Sequence, residues 1–488
     1  MRDQRAEVSL HISPSERYES RPVDPGEFRI LVVGDFGGRG DGAAPTNDPP
    51  RRVDRDDIDA HIARIAPRLR VSIGSEDVQL AFTSLDDFHP DRLASRLTAL
   101  DPTVADAGSG TSAHAPATPA ASPSQGDIVR AVSGGSLLDD MLDDSGAPDA
   151  GDRGSAASTA SQAQRRSDEL SAFIERAVAP HLVQRDEAAE ARAESRQRSL
   201  ADRLRDVLHH PRVQALEATW RALDIVVRRL ETDGELRLFL LDRPRDHVAA
   251  AIEQIARDRD VANPEHWMLI VALHSFAEGN AGAESLARLA IAAKELDAPC
   301  VAAAPASLTG AESLAQLADD EHVATPASDI YALIRKSADG RFLGLTFPRV
   351  LMRAPYGRDN PCDTIDFEEL DDPERHSNYL WGSGAALVAL LVGEAFLEKG
   401  WAMGGRIPLD VSGLPYFTYR RGPEMIAKSC AEAIMSERVA RLLLARGLMP
   451  VAWIKDTDRV RIVEIRSVSD PTAPLAAPWA GAMPRSAP

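Results

Sequence analysis

The sequence predicts an α/β protein of mixed α+β type, in which helices flank a mixed β-sheet. Short apolar runs typical of strands recur along the chain, and segments whose apolar residues follow a 3.6-residue period lie between several of them. In one place a strand (266–274), a helix (284–298) and a second buried strand (300–304) follow one another. Such a βαβ crossover joins parallel strands, so at least part of the sheet is expected to be parallel.

The first hundred residues are predicted to form a small folded unit. Its segments follow in the order strand 7–12, strand 28–36, helix 54–69, strands 71–73 and 78–85, and helix 90–100.

Residues 101–166 differ from both flanks in composition. Alanine, glycine, serine, proline and aspartate dominate this segment, which has no aromatic residue. It cannot bury enough apolar surface to offset the entropy lost on ordering, so we predict a flexible linker. We therefore divide the chain into a domain over 1–100, this linker, a larger domain over 167–470 and a disordered tail over 471–488.

Residues 167–470 carry the longest helical patterns and further strand patterns. The helices are predicted over 167–182, 200–230, 384–400 and 427–447, and the further strands over 235–242, 342–352, 450–454 and 460–468. The last strand alternates, with Val460 and Ile462 on one face and Arg461 and Val463 on the other. A strand near the end of a domain can pair within its own sheet or with a neighbour's sheet.

Composition limits the class of partner and the compartment. The formal net charge of −19 argues against a general binder of nucleic acid or of anionic membranes, because phosphates attract basic surfaces. The three cysteines are far apart and suggest neither a disulfide framework nor a zinc site. The N-terminus lacks an apolar signal core, and no apolar stretch is long enough for a membrane span. These features indicate a soluble cytoplasmic protein.

A glycine-rich stretch follows the strand at 28–36, with Gly34, Gly37, Gly38 and Gly40 within seven residues. A P-loop would need a lysine followed by serine or threonine, and a dinucleotide fingerprint would need a helix next. The stretch has neither, since a proline-rich segment follows it. We therefore favour a turn between a strand and a surface loop over a nucleotide site.

Other catalytic and metal-binding patterns are weak. His209 and His210 are adjacent, so on a helix they point about 100° apart and cannot bind one metal as an i, i+4 pair would. We expect one of them to be packed and the other solvated. No motif for nucleophilic or metal catalysis is present, although a site built from distant residues leaves no sequence signal. We predict a protein that is not an enzyme and needs no cofactor.

An apolar stripe interrupts the linker at residues 136–144, SLLDDMLDD. It consists of Leu137, Leu138, Met141 and Leu142, which lie on one side of a short acidic helix. Two interpretations stay open. The helix docks on its own protein, or it is a linear motif for the groove of a partner.

Three ordered segments resemble the large subunit of the type VI secretion contractile sheath, and residues 445–468 resemble its C-terminal region more weakly. The segments are VLHHPRVQALEATWRALDIVVRRL (207–230), GLTFPRVLMRAPYG (344–357) and NYLWGSGAALV (378–388). The motif residues are His209, His210, Pro211, Leu216, Trp220, Arg221, Pro348, Arg349, Pro355, Tyr356, Gly357, Trp381 and Gly382.

The first hundred residues resemble the small subunit of the same sheath. The matching segments are 28–39, 52–71 and 82–97, in the family's order. The chain is therefore identified as a small and a large sheath subunit fused through a linker. In this family the glycines follow a core strand and bind no nucleotide.

The resemblance implies a structural role. Sheath subunits of this family form a helical polymer around an inner tube protein, attached to baseplate components, and contraction drives the tube forward to deliver effectors. Neighbouring protomers donate strands to a shared sheet, which is β-augmentation in an open, heterologous contact. The equivalent strand residues here are Glu7, Val8, Ser9, Leu10, His11, Ile12, Val460, Ile462, Val463, Glu464, Ile465 and Val468.

The resemblance also implies recycling of contracted sheath by an AAA+ unfoldase that grips a helix of the large subunit. The stripe at 136–144 makes Leu137, Leu138, Met141 and Leu142 the candidate contacts. The alternative function is a sheath-like adaptor or baseplate-associated component that does not polymerise. Whether the two halves pair within one chain or between chains is open at this stage.

Overall fold

A computed structural model describes residues 26–74, 76–99, 187–259, 266–276, 278–318 and 328–481. The predicted strand over 7–12, the apolar stripe at 136–144 and the predicted helix over 167–182 lie outside these ranges. The described parts of residues 1–100 and 199–488 belong to one compact unit. The described part of the second unit, which covers residues 101–198, is the beginning of one exposed helix.

Two α-helices and four strands lie in the described part of the first hundred residues. They are β1 Phe28–Gly34, β2 Arg51–Val53, α1 Ile58–Ile65, β3 Arg68–Ile73, β4 Glu76–Ala81 and α2 Pro90–Ala99. β3 and β4 pair with each other as an antiparallel hairpin, apart from the main sheet.

The later region contributes most of the helices. These are α3 Glu187–Leu208, α4 Pro211–Arg229, α5 Val248–Arg257, α6 Gly279–Leu296, α7 Asp329–Lys336, α8 Ala385–Lys399 and α9 Glu437–Ala445.

Five of its strands run in the same direction as β1 in the main sheet. The later strands are β5 Leu236–Asp242, β6 Trp267–Ala272, β7 Cys300–Ala303, β8 Leu343–Phe347, β9 Val350–Leu351, β10 Trp381–Gly382, β11 Asp410–Val411, β12 Phe417–Arg421, β13 Glu424–Lys428, β14 Leu448–Trp453 and β15 Val460–Ile462.

The main sheet has nine strands in the order β11-β15-β14-β8-β7-β6-β1-β5-β2. β1 lies between β5 and β6 and is parallel to both, with Val32 opposite Leu240 on one side and Val271 on the other. A strand from the first hundred residues is therefore an interior strand of a sheet that the later region mostly builds. The two halves of the chain pair within one chain in this structure.

Alternation along β1 explains its place in the sheet. Ile30 and Val32 enter the hydrophobic core on one face, and Leu31 and Val33 enter the core on the other. Parallel strands buried on both faces read as near-continuous apolar runs, which is the pattern of ILVV in the sequence.

Helices cover both faces of the sheet. The first core contains apolar residues of α4 and α8, and the second contains those of α5, α6, α7 and α9. Helix α8 is buried on almost every side from Ala385 to Phe396, as its uniformly apolar sequence predicts. The predicted crossover is confirmed, because β6 and β7 pair in parallel and α6 connects them.

The prediction of one helical segment over 200–230 needs a correction. The structure has two helices, because α3 ends at Leu208 and α4 starts at Pro211. Proline lacks an amide proton and clashes with the preceding turn, so it is tolerated at the first position of a helix and breaks a helix interior.

The prediction of a helix over 427–447 was wrong in its first half. Residues 424–428 form β13, which pairs with β12 in an exposed antiparallel hairpin. The helix begins only after Ser436, whose side chain accepts a hydrogen bond from the Val439 amide. Cys430 and Ala431 are buried in the first core in a non-helical segment, so tertiary packing overrides the local helical preference there.

Candidate functional site

Two places in the compact unit bear on function. One is the seam, defined as the contacts that join the loop after β1 (34–41) and α4 to residues 348–382. The other is the β11 end of the nine-stranded sheet.

In the glycine-rich loop of the seam, the chain's own carboxylates accept hydrogen bonds from loop amides. Asp35 accepts from the amides of Arg39 (3.0 Å) and Gly40 (2.7 Å). Asp242, at the end of β5, accepts from the Gly37 amide (3.1 Å) and the Arg39 guanidinium (2.6 Å). A phosphate would need such amides for itself, so the loop has the structure of a turn that ties β1 to β5.

Gly38 is the position where the loop requires glycine. Its φ is +64°, and a β-carbon there would lie 2.8 Å from Leu69 and 3.3 Å from the Leu216 side chain. Both the left-handed backbone and the close contact exclude larger residues. The loop therefore fits directly onto α4.

The motif at 209–221 forms the α4 side of the seam. His210 is the N-cap of α4, where its Nδ1 accepts from the Arg212 amide (3.2 Å), and Pro211 is the first helical residue. Trp220 is fully buried, and its indole Nε1 donates to the Phe36 carbonyl oxygen (3.0 Å). His209 and His210 are both partly buried, so the expectation of one packed and one solvated histidine was wrong.

A buried charge cluster connects α4 to the second motif. Arg353 donates from Nε to Glu217 (2.8 Å) and from both terminal nitrogens to Glu369 (2.6 and 2.9 Å). Arg221 also donates to Glu217 (2.6 Å), and the Tyr356 amide donates to Glu369 (2.8 Å). Glu217 is 0% exposed and Glu369 is 1% exposed, so these charges are stable only as a paired group.

The pKa of Glu369 reflects this pairing. Burial by itself raises the pKa of this carboxyl, but the charge of Arg353 and the hydrogen bonds from Arg353 and Tyr356 outweigh burial and lower the pKa to about 2. For Arg353, burial lowers the pKa, but Glu217 and Glu369 raise it well above the usual value. Glu369 and Arg353 thus stay charged across the physiological pH range.

A second charge cluster joins the other motif residues. Glu432 accepts from Arg349 and from His376 (3.1 Å), whose ring stacks on Trp381. Burial raises the pKa of Glu432, but these hydrogen bonds and charges lower it to about 2. Trp381 donates from Nε1 to the His376 carbonyl oxygen (3.0 Å).

The remaining motif residues are packing positions. A β-carbon on Gly382 would lie 2.4 Å from the Met352 side chain, so any larger residue there would force Met352 to move. Pro348, Pro355 and Gly357 are buried, and Gly357 exchanges two backbone hydrogen bonds with Asn360. The structure thus brings the three motif segments together, although 173 positions separate the first motif residue, His209, from the last, Gly382.

Sequence reasoning missed Arg353, Glu369 and Glu432. Their partners are 16 to 136 residues away, so spacing gives no signal for the pairing. The arginine in VLMRAPYG stands between apolar positions, and this context was the one available hint of a buried charge.

The β11 end of the sheet contains the predicted C-terminal strand. The strand predicted over 460–468 is confirmed for Val460–Ile462 and wrong for the rest. β15 pairs with β14 on one side and with the short β11 on the other. The Val463 amide still donates to Pro450 of β14 (2.9 Å), after which the chain leaves β14, and the Val468 amide donates to Leu343 at the start of β8 (2.9 Å).

A shallow apolar groove lies where β15 stops. We call it the edge groove. It has a volume of about 220 Å³ and is lined by Gly405, Ile407, Leu409, Glu464, Ile465, Pro474, Leu475, Ala477 and Trp479. Ile407, Leu409 and Ile465 are partly exposed. β11 is the last strand at this end, and no strand of the described residues pairs with its outer side.

None of the helices in the described ranges combines the length and apolar character needed to span a bilayer. The donor strand Glu7–Ile12 and the apolar stripe at 136–144 lie outside the described residues, so their roles stay predictions.

Comparisons with known proteins agree with the two resemblances. Residues 193–469 match the family model described as VipB, EvpB/VC_A0108, tail sheath N-terminal domain. Residues 4–105 match the model described as type VI secretion system, VipA, VC_A0107 or Hcp2. A curated relative is the type VI secretion system sheath protein TssC1 of Pseudomonas aeruginosa, 26% identical over 289 residues, which are 54% of this chain.

The chain spans 58% of the length of that relative. The VipB match alone, however, covers more than half of the 488 residues, and the VipA match adds the first hundred. The chain therefore belongs to the type VI secretion tail-sheath family, and it carries a VipA-like and a VipB-like region in one polypeptide.

Proposed function

We propose that this chain is a self-sufficient subunit of a contractile sheath, which polymerises by strand exchange around an inner tube and contracts to drive effector delivery. One observation carries the proposal. β1 from the VipA-like region lies inside the sheet of the VipB-like region, so one chain supplies the joined core that two subunits would otherwise form.

The edge groove supports strand exchange at the β11 end. A strand added beside β11 would continue the ladder, and alternate side chains would enter the groove beside Ile407 and Ile465. The segment EVSLHI fits this environment, because Val8, Leu10 and Ile12 alternate with Glu7, Ser9 and His11. One face of such a strand is apolar and the other is polar.

The course of the chain supports the same location. Phe28, the first residue of β1, has its ring centroid 5.7 Å from that of Trp479, which lines the edge groove. Residues 13–25 lie between the donor strand and residue 26, where the described chain begins, two residues before Phe28. A fully extended segment of this length spans at most about 45 Å. This reach is sufficient for a donor strand to approach an adjacent subunit.

Segment 460–468 is the second part of the proposal. Val460 and Ile462 are held in the sheet, and the Val463 amide still donates to the Pro450 carbonyl oxygen of β14 (2.9 Å). Glu464 and Ile465 follow and line the groove. We assign the acceptor role to the side chain of Ile465 and the backbone of Glu464 at the groove, and the anchoring role to Val460, Ile462 and the buried Val468.

The other partners follow from the sheath role. The proposal includes an inner tube protein, baseplate components and work in the cytoplasm, with no catalytic step and no cofactor. It also includes recycling by an AAA+ unfoldase at Leu137, Leu138, Met141 and Leu142.

Electron microscopy of the purified full-length protein, with no partner added, tests assembly directly. We expect hollow tubules or cogwheel-like cross-sections. Particles that stay monodisperse even when the inner tube protein is supplied would favour the non-polymerising adaptor.

A matched pair of variants tests strand exchange. Replacing Val8, Leu10 and Ile12 by aspartate places charge on the apolar face and should abolish polymers while the far-ultraviolet circular dichroism stays unchanged. Replacing Glu7, Ser9 and His11 by alanine alters the opposite face and should leave polymers intact. Polymers that survive the first change would refute exchange through this strand.

A second matched pair of variants tests the acceptor side of the proposed strand exchange. Ile465→Asp should weaken assembly because the charge enters the edge groove, whereas Glu464→Ala should have little effect. Equal effects of the two changes would contradict the proposed groove.

A further inference from the structure

A cluster of three potential metal ligands lies beside the seam, outside the contacts used above. His89 and Asp91 precede and begin α2 in the VipA-like region, and Cys362 lies in the loop after the second motif. One ligand atom from each residue lies within 4.8 Å of the other two. Imidazole nitrogen, carboxylate oxygen and thiolate sulfur from two distant parts of the sequence thus converge on one point.

The distances suit a tetrahedral ion. His89 Nδ1 lies 3.4 Å from Asp91 Oδ2. Bonds of about 2.0–2.3 Å from Zn²⁺ to nitrogen, oxygen and sulfur place tetrahedral ligands about 3.3–3.8 Å apart. The His89 and Asp91 atoms thus already have the spacing of two tetrahedral ligands, and the Cys362 sulfur lies within 4.8 Å of both.

The surroundings hold the ligands in place. Asp91 Oδ2 accepts from the Asp363 amide (2.8 Å), and Oδ1 accepts from the amide (3.0 Å) and hydroxyl of Thr364. The His89 ring packs edge-on against Tyr356, with centroids 4.8 Å apart. Carboxylates and imidazoles that bind metals are commonly fixed by such outer contacts.

The cluster is accessible and lies in a negative environment. Cys362 lines an open cleft whose other walls include Asp363, Asp366 and Glu368. A cation is therefore attracted to the point where the sulfur lies.

We propose that His89, Asp91 and Cys362 bind a divalent transition-metal ion of the zinc class, with the fourth position left to water. The sulfur and nitrogen ligands favour Zn²⁺ over Mg²⁺ or Ca²⁺, which prefer oxygen. The bound ion links the start of α2 to the loop at 357–368. It thereby adds a metal link between the VipA-like and VipB-like regions to the shared sheet, the seam contacts and the hydrogen bonds of Asp91.

Cobalt(II) titration of the metal-free, phosphine-reduced full-length chain tests the site. We expect saturation at one ion per chain, with tetrahedral visible bands and a thiolate-to-cobalt charge-transfer band. Cys362→Ser should remove the charge-transfer band, and His89→Gln should weaken binding. Cys430→Ser is the matched control, since this buried cysteine lies elsewhere and its loss should leave the band unchanged.

Thr364→Val supplies a gentler test, because it leaves all three ligands in place. Loss of the hydroxyl that holds Asp91 should weaken Co²⁺ binding about 10–100-fold. Circular dichroism verifies that each variant is folded. A charge-transfer band that persists in Cys362→Ser, or titrations without such a band, would overturn the proposal.

Discussion

The seam and the β11 end of the sheet are built in opposite ways. At the seam, buried charges have strong partners, the loop amides bond to carboxylates and Trp220 is fully enclosed. At the β11 end, the last strand has two residues, and the apolar side chains of the edge groove are partly exposed. The seam is packed like a domain core, whereas the β11 end leaves apolar side chains partly exposed, as at a surface that binds another chain.

This difference separates stability from assembly. Changes at the seam should unfold the single chain, because they leave buried groups without partners. Changes at the edge should leave the single chain folded and alter contacts between copies. The following predictions test this separation.

The largest expected effect is at the centre of the seam. Arg353→Met removes the main partner of the buried Glu369 and one of the two arginines that donate to the buried Glu217, and it should lower the free energy of unfolding by about 3–5 kcal/mol. Urea denaturation measures this change. Arg221→Met is the comparison, since Glu217 then keeps Arg353 and the loss should be smaller. Equal losses would show that the cluster does not depend on Arg353.

Acid should destabilise the chain through the same carboxylates. The folded-state pKa values of Glu369 and Glu432 are about 2, below the ordinary value of 4.5. Their contribution to stability is therefore complete above about pH 4.5 and is lost as pH falls toward 2.

Urea unfolding between pH 6 and pH 3 measures this dependence. Glu432→Gln should reduce the slope of stability against pH, because one of the two carboxyls whose pKa is lowered to about 2 is gone. A slope that Glu432→Gln leaves unchanged would assign the acid sensitivity to other groups.

A smaller effect is expected in the glycine-rich loop. Gly38→Ala should cost about 1–3 kcal/mol, because alanine is strained at φ +64° and its methyl group meets Leu69. Gly40→Ala is the control, since its φ is also positive but a β-carbon there has nothing within 4 Å. If thermal melts show the same loss for both variants, glycine is required at position 38 because of backbone strain and not because of packing against Leu69 and α4.

The smallest effect on folding is expected at the sheet edge. Asp410 and Arg461 form an exposed ion pair between β11 and β15 (2.7 Å). Asp410→Asn should leave the melting temperature of the single chain almost unchanged, because exposed ion pairs contribute little. A large drop would mean that the edge, too, is part of the core and would erase the contrast with the seam.

Sequence patterns predicted the strands and crossover at the centre of the main sheet better than the segments 427–436 and 463–468. Alternation and crossover length predicted β1 and the β6-α6-β7 unit, because both depend on local patterns. The helical pattern at 427–436 and the alternation at 463–468 failed, because long-range packing decides the conformation there. Arg353 and Glu369 could not be paired from sequence, since only the folded chain brings them together.

The interior position of β1 fixes the ratio of VipA-like to VipB-like regions at one to one. Because this strand and its neighbours β5 and β6 belong to one polypeptide, every core receives one VipA-like and one VipB-like region whatever the expression level. Two separate proteins would have to meet by diffusion before either could complete its sheet. Here the encounter is intramolecular, so it does not depend on the concentration of a second protein. No surplus half with an unfilled strand position is produced, which removes one source of aggregation.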